Sequence, residues 1–94
     1  MTQKRRIIKN DKCHLRWCQE AGAHAVHRQY LTSFLTDEGR AVGVNVVQSG
    51  DRPRAVELTM LPRRGRGQTV VFQLTEAEAV AKGMRAGIRL ARPR

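Results

Sequence analysis

The clearest strand pattern in this sequence is AVGVNVVQSGDRPRAVELTML, residues 41–61. Valines alternate with smaller or polar residues between positions 42 and 46, which is the period of a β-strand with one buried face. SGDRP follows as a turn, in which Pro53 has no N–H to donate to a strand ladder. Apolar side chains then return at every second position, so we expect Glu57 and Thr59 to point away from the core. The stretch predicts two antiparallel strands.

Similar segments flank this hairpin on both sides. VHRQYLTSF, residues 26–34, precedes it after the turn TDEG, and TVVFQL, residues 69–74, follows it after the loop PRRGRG. In both segments apolar side chains again occur at alternate positions. Four strands joined by short polar turns predict an antiparallel β-meander.

After the fourth strand the period becomes that of a helix. LTEAEAVAKGMRAGIRLA, residues 74–91, has one apolar stripe, and a basic stripe that we expect to face outward. Thr75 and Glu78 have the spacing of a capping box. Gly83 and Gly87 suggest close packing of the helix backbone against the sheet or a partner. The predicted fold class is therefore α+β, with a meander of about four strands packed against a C-terminal amphipathic helix.

The segment before the first strand has no clear period. Residues 12–23, KCHLRWCQEAGA, are compatible with a helical turn or with a knuckle around a metal ion, so we expect a short irregular or helical segment there. Residues 1–12 are expected to form a flexible basic arm. No repeat or linker divides the chain, and 94 residues suffice for one modest core, so we predict a single domain over 1–94.

The chain is strongly basic, with 18 Lys and Arg against 8 Asp and Glu and a formal net charge of +10. Such charge repels itself in the folded state, and small proteins that keep it commonly bind a polyanion. Most of the excess is arginine, whose planar guanidinium suits bidentate phosphate contacts. Nucleic acid is the first partner that this predicts, and an anionic membrane surface is the second. Arginine-rich codon usage is an alternative origin of the excess.

Three parts of the sequence concentrate this charge. The predicted nucleic-acid-binding residues are Arg63, Arg64 and Arg66 in the loop, Lys82, Arg85, Arg89 and Arg92 in the helix, and Lys4, Arg5 and Arg6 in the arm. Glycines in the loop let its backbone approach a phosphate closely. Because the sequence has few aromatic residues, we expect contacts to phosphates rather than to bases, with DNA and RNA both open.

Both cysteines and all three histidines lie within CHLRWCQEAGAHAVH, residues 13–27. The candidate zinc ligands are Cys13, Cys18, His24 and His27. Their spacing, C-x4-C-x5-H-x2-H, matches no standard zinc module, and a strand would point the two histidine ligands to opposite faces. A mixed site with His14 is a further option. We expect mainly a structural cap, with Trp17 and Cys18 packed beneath it, and keep zinc as the alternative to no cofactor.

The sequence offers no paired carboxylates and no phosphate-binding or dinucleotide loop, so we expect no enzymatic activity. It has no transmembrane run and no signal-peptide core, so we expect a cytoplasmic protein. The predicted function is that of a small, regulatory nucleic-acid-binding module. The alternative is a protein-interaction module, such as a small phage or plasmid regulator or inhibitor. Such a module would dock on an acidic protein surface or form a homodimer through a sheet edge.

Overall fold

The structure is a computed structural model that describes residues 13–93. Its elements are β1 (Val26–Leu35), β2 (Ala41–Ser49), β3 (Ala55–Leu61), β4 (Gln68–Phe72) and α1 (Leu74–Ala91). The four strands form one antiparallel sheet in the order β1-β2-β3-β4. The α+β fold class and the meander are thus confirmed, while the predicted basic arm lies outside the described residues.

One face of the sheet is apolar because the strands pair in the register that their sequences favour. Val44 pairs with Leu58, and Leu58 with Val70. Directly paired residues share a face, so these side chains adjoin. Val56 and Phe72 extend the same face toward the start of α1. We call this surface the apolar face.

Helix α1 covers only part of the apolar face. Ala77, Val80 and Ala81 line a cleft with it, yet no residue of the helix is buried. Met84 and Ile88, further along the same stripe, are 64% and 48% exposed. Within residues 13–93, no helix is both long and apolar enough to cross a membrane.

Three details of the helix differ from expectation. Its amino end is capped by Gln73, whose N–H donates to Glu76 Oε1 at 2.8 Å, rather than by Thr75 and Glu78. This follows because the helix already begins at Leu74. A Cβ added at either glycine of the helix would meet nothing within 4 Å, so the expected close packing on the sheet is absent from the described chain. The basic stripe faces outward as expected, but it lies beside the apolar stripe and not on the opposite side of the helix.

The best-buried side chains lie on the other face of the sheet. Val47 and Ala55 pair directly across β2 and β3, and both are buried. Asn45 and Glu57, the next pair on this face, are buried as well. Glu57 was expected to face solvent, and that prediction is wrong. Its carboxylate accepts hydrogen bonds from Arg28 at 3.0 and 3.1 Å and from Asn45 Nδ2 at 2.9 Å.

These hydrogen bonds make the burial of a carboxylate tolerable. An ionised carboxylate away from water is strongly destabilising unless donors surround it. Burial alone would raise the pKa of Glu57, but the hydrogen bonds from Arg28 and Asn45 outweigh burial and lower that pKa below its ordinary value of 4.5. Glu57 is therefore ionised at neutral pH and ties β1, β2 and β3 together.

Strand β1 forms one edge of the sheet. Gln19 covers its first half, since the Gln19 N–H donates to the Arg28 carbonyl at 2.8 Å and its side-chain oxygen accepts from the Tyr30 N–H at 2.7 Å. Past this point the pairing with β2 shifts register between Tyr30 and Thr32, which makes a β-bulge at Leu31. The edge is therefore partly occupied and partly bent.

Candidate metal centre

Residues 13–25 form an irregular loop beside the amino end of β1. The Cys18 N–H donates to the Leu15 carbonyl at 3.0 Å and closes a turn between the two cysteines. Gly22 has φ of 72°, a left-handed conformation that glycine adopts without a Cβ clash. It lies between the second cysteine and His24, where the loop turns back toward β1.

Four side chains converge where this loop meets the start of β1. Their ligand atoms all lie within 4.8 Å of one another, and they belong to Cys13, Cys18, His24 and His27. Cys13 Sγ is 3.2 Å from His27 Nδ1, and Cys18 Sγ is 3.5 Å from His24 Nε2. The two imidazole nitrogens are 3.3 Å apart. We call these four residues the donor cluster.

The distances are close to those of a tetrahedral zinc site. Ordinary zinc–sulfur and zinc–nitrogen bond lengths give tetrahedral edges of about 3.5 Å for a sulfur–nitrogen pair and about 3.3 Å for two nitrogens. The three contacts of the donor cluster fall near these values, and two thiols with two imidazoles are donor types that zinc prefers. The donor cluster could therefore hold a metal ion such as zinc.

In the structure His24 and His27 can contribute to the same metal site, although the sequence argued against this. That argument treated His24 and His27 as neighbours on one strand, where they would face opposite ways. Strand β1 begins two residues after His24, so only His27 belongs to it. His14 is exposed, with Nδ1 3.9 Å from Cys13 Sγ, and stays outside the cluster.

A hydrogen bond on its far side orients His24. The Nδ1–H donates to the Gly22 carbonyl at 2.7 Å. This bond holds the proton on Nδ1 and leaves the lone pair of Nε2 directed at the cluster, as is usual for histidine ligands of metals. The same bond is the main cause that raises the pKa of His24 above its ordinary value.

The thiol of Cys18 is biased toward the thiolate. Burial acts to raise its pKa, but hydrogen bonds from the backbone N–H groups of Arg28 and Glu20 and from the side chains of His27 and Cys13 lower it to about 6. Zinc binds the thiolate and not the thiol. Cys18 is therefore prepared for a metal at neutral pH.

Trp17 packs beside the donor cluster and joins it to the sheet. Its ring lies edge-on to His27, with centroids 6.2 Å apart. The Arg54 guanidinium lies 4.8 Å from the Trp17 ring centroid, a cation–π contact at the start of β3. Trp17 Nε1 is buried and finds no hydrogen-bond partner among residues 13–93. The predicted cap and the candidate metal site are thus the same segment.

The predicted nucleic-acid-binding residues lie elsewhere. All of those in residues 13–93 are exposed: Arg63, Arg64, Arg66, Lys82, Arg85, Arg89 and Arg92. None of these has a carboxylate within 4.0 Å in the described part of the chain. Lys4, Arg5 and Arg6 lie outside the described residues. The β3–β4 loop is at the end of the sheet opposite the donor cluster, since β1 and β3 both run toward it.

The tip of this loop is open. Gly65 has φ of 90°, and a Cβ there would meet nothing within 4 Å. Arg64 and Arg66 flank it, whereas Arg63 crosses to the β1–β2 turn, where its Cδ is 3.0 Å from a Cβ built on Gly39. Two of the three arginines therefore project at the tip, and the stem of the third packs on the neighbouring turn.

The basic residues of α1 form a second surface. Strand β4 lies between the β3–β4 loop and the start of α1. Ala81, Arg85, Ile88 and Arg92 follow one another in steps of four, three and four, which places them along one side of the helix. The arginines therefore flank the apolar stripe.

Sequence reasoning missed two residues that support the donor cluster, Gln19 and Arg54. Gly22, two residues before a histidine in a loop, was the available signal for a tight turn there. No protein-family model, curated protein or solved structure matches this chain.

Proposed function

We propose that this chain is a zinc-stabilised basic module that binds nucleic acid mainly through phosphate contacts. The convergence of the donor cluster within 4.8 Å supports the metal. In the described residues the only buried apolar side chains are Val47 and Ala55. Small domains with so little core commonly need a cross-link or a metal. Metal binding at such a site contributes directly to the folding free energy, so zinc has a structural role here.

Native mass spectrometry tests the metal. We expect one zinc per purified chain, which a strong chelator removes with loss of the far-ultraviolet circular dichroism signal. The variant His24→Ala should lose the zinc, and the control His14→Ala should keep it. A chain that neither contains nor takes up zinc, or a His24→Ala chain that retains it, contradicts the proposal.

The distribution of charge supports nucleic-acid binding. Glu57 and Glu20 lie within 4.0 Å of Arg28, so these acidic groups neutralise charge near the donor cluster. At the loop tip, Arg64 and Arg66 have no such partner in residues 13–93. The open space around Gly65 would let a phosphate approach backbone N–H groups and guanidinium groups together.

Salt-dependent binding to mixed-sequence DNA and RNA oligonucleotides tests this part. Each lost phosphate contact lowers the slope of log K against log salt by about one. We expect Arg64→Gln with Arg66→Gln to lower the slope by about two and to weaken binding about tenfold at moderate salt.

The matched control removes two exposed arginines near the other end of the sheet, by Arg16→Gln with Arg52→Gln. It has the same net charge as the loop variant and should keep most of the affinity. Equal losses in both variants would show attraction by net charge without a site. Absence of binding at about 50 mM salt would favour an acidic protein surface as the partner.

A further inference from the structure

We propose that this chain forms a two-fold homodimer in which the outer half of α1 from each copy lies in an apolar cleft of the other. The proposal concerns the apolar face and the helix only. It does not depend on zinc or on nucleic-acid binding.

The cleft lies between α1 and the apolar face and has a volume of about 520 Å³. Its lining is apolar apart from one residue, Glu78, and consists of Val44, Val56, Leu58, Phe72, Leu74, Ala77, Val80 and Ala81. Leu74 and Val80 are still 58% and 44% exposed, so the chain does not fill the cleft itself. An exposed apolar surface of this kind on a small domain marks an interaction site.

The outer half of α1 has the complementary shape. Met84 and Ile88 continue the apolar stripe of Ala77 and Ala81 but have no sheet beneath them in the described chain, and both are exposed. Each copy therefore presents an apolar ridge and an apolar cleft. A two-fold axis can close such a pair of surfaces, with the contact between ridge and cleft made twice.

The charges beside the ridge and at the cleft are complementary between two copies. In an antiparallel helix pair, Arg85 beside the ridge of one copy would approach Glu78 at the cleft of the other. Glu78 has no basic partner within 4.0 Å in the described part of the chain. The two ion pairs would offset part of the repulsion between two basic chains.

Other occupants fit less well. A membrane surface is flat and cannot enter a cleft between a helix and a sheet. Residues 1–12 contain Ile7 and Ile8 among basic side chains, namely Lys4, Arg5, Arg6, Lys9 and Lys12. Those charges would meet the arginines that flank the apolar stripe of α1.

The available area suits a modest dimer. Side chains of this size present up to about 150–200 Å² each, so half a dozen that are half exposed offer on the order of 500 Å² per chain. The total of about 1,000 Å² is near the lower limit for a specific interface. We therefore expect dissociation in the micromolar range.

Light scattering coupled to size exclusion, run on the full chain from about 5 to 200 µM, tests the proposal. We expect the mass to approach twice the 10.6 kDa of one chain, and Tm to rise with concentration. Met84→Glu with Ile88→Glu should give monomers. The control is Leu90→Glu, which alters a leucine that is 87% exposed on the far side of the helix and should leave the dimer intact.

A charge exchange provides a second test, which does not depend on whether the Met84→Glu, Ile88→Glu variant folds. Glu78→Arg and Arg85→Glu should each weaken the dimer about tenfold, and the combined exchange should restore it. A monomer at every concentration, a dimeric Met84→Glu, Ile88→Glu variant, or failure of the combined exchange to restore association would overturn the proposal. If the monomer sediments with uncharged phosphatidylcholine vesicles, to which its net charge of +10 gives no attraction, the apolar surface is a membrane contact instead.

Discussion

The two ends of the sheet differ in whether their arginines are paired with carboxylates. Near the donor cluster, Arg28 binds the carboxylate of Glu57 at 3.0 Å and lies 3.8 Å from Glu20. At the loop tip, Arg64 and Arg66 are exposed and without such partners in residues 13–93. Buried, paired charges are costly to break, whereas exposed ones contribute little to folding. The paired charges at the first end are therefore expected to contribute more to stability than the exposed arginines at the second.

Disabling the donor cluster should have the largest effect on stability. Because zinc binding in small domains is worth about 10–16 kcal/mol, comparable with or larger than the whole stability of a domain, we expect Cys18→Ser to abolish cooperative thermal unfolding. Circular dichroism of the chain in zinc-containing buffer measures this. His14→Ser is the control and should unfold like the wild type. An unchanged Tm in Cys18→Ser would show that the cluster is not needed for the fold.

The buried ion pair should give the next largest effect. Glu57→Gln leaves the half-buried guanidinium of Arg28 with only the more distant carboxylate of Glu20, at 3.8 Å, so the free energy of unfolding should fall by about 2–4 kcal/mol. Urea denaturation measures it. Glu38→Gln is the matched control, since its ion pair with Arg40, at 3.7 Å, is exposed and should contribute under about 0.5 kcal/mol. Similar losses in both variants would contradict the distinction.

Acid should weaken the same pair. The folded-state pKa of Glu57 lies below its ordinary value of 4.5, so the pair's contribution is present above that pH. It is lost as the pH falls through the lower, folded-state pKa. Unfolding free energies measured between about pH 3 and 6 should decline more steeply in wild type than in Glu57→Gln. Parallel curves would assign the acid sensitivity to other groups.

The smallest effect on stability should come from the loop. Arg64→Gln with Arg66→Gln should change the free energy of unfolding by less than about 0.5 kcal/mol, because neither side chain is buried or paired in the described chain. Urea denaturation beside the oligonucleotide titration shows whether binding changes alone. A loss above about 1 kcal/mol would mean that the tip also supports the fold.

The spacing of apolar residues, at every second position in the strands and at helical spacing in α1, identified both kinds of element, because the period of each is a local property. The bounds of β3 and α1 match those expected from the sequence. The prediction that Glu57 faces solvent was wrong because alternation shows which residues share a face of the sheet. It does not show whether other residues cover that face. The burial of Glu57 depends on Arg28, which belongs to another strand. The alternation within β3 gives no information about the position of Arg28.

The sequence predicted which residues form the donor cluster but not that they come together. The residue types named its members, but the start of β1 decides whether His24 and His27 can meet. That start depends on the left-handed turn at Gly22 and on the pairing of Gln19 with the strand edge, neither of which has a periodic signal. Local loop conformation therefore limited the interpretation more than ligand chemistry did.

The bulge at Leu31 has a consequence for the behaviour of the chain in concentrated solution. A straight edge strand presents a row of free backbone groups on which further chains can add, which leads to fibres. Here Gln19 occupies the first half of that row, and the bulge bends the second half out of register. Growth of the sheet across β1 is thus obstructed, so assemblies of this protein should stay finite in size.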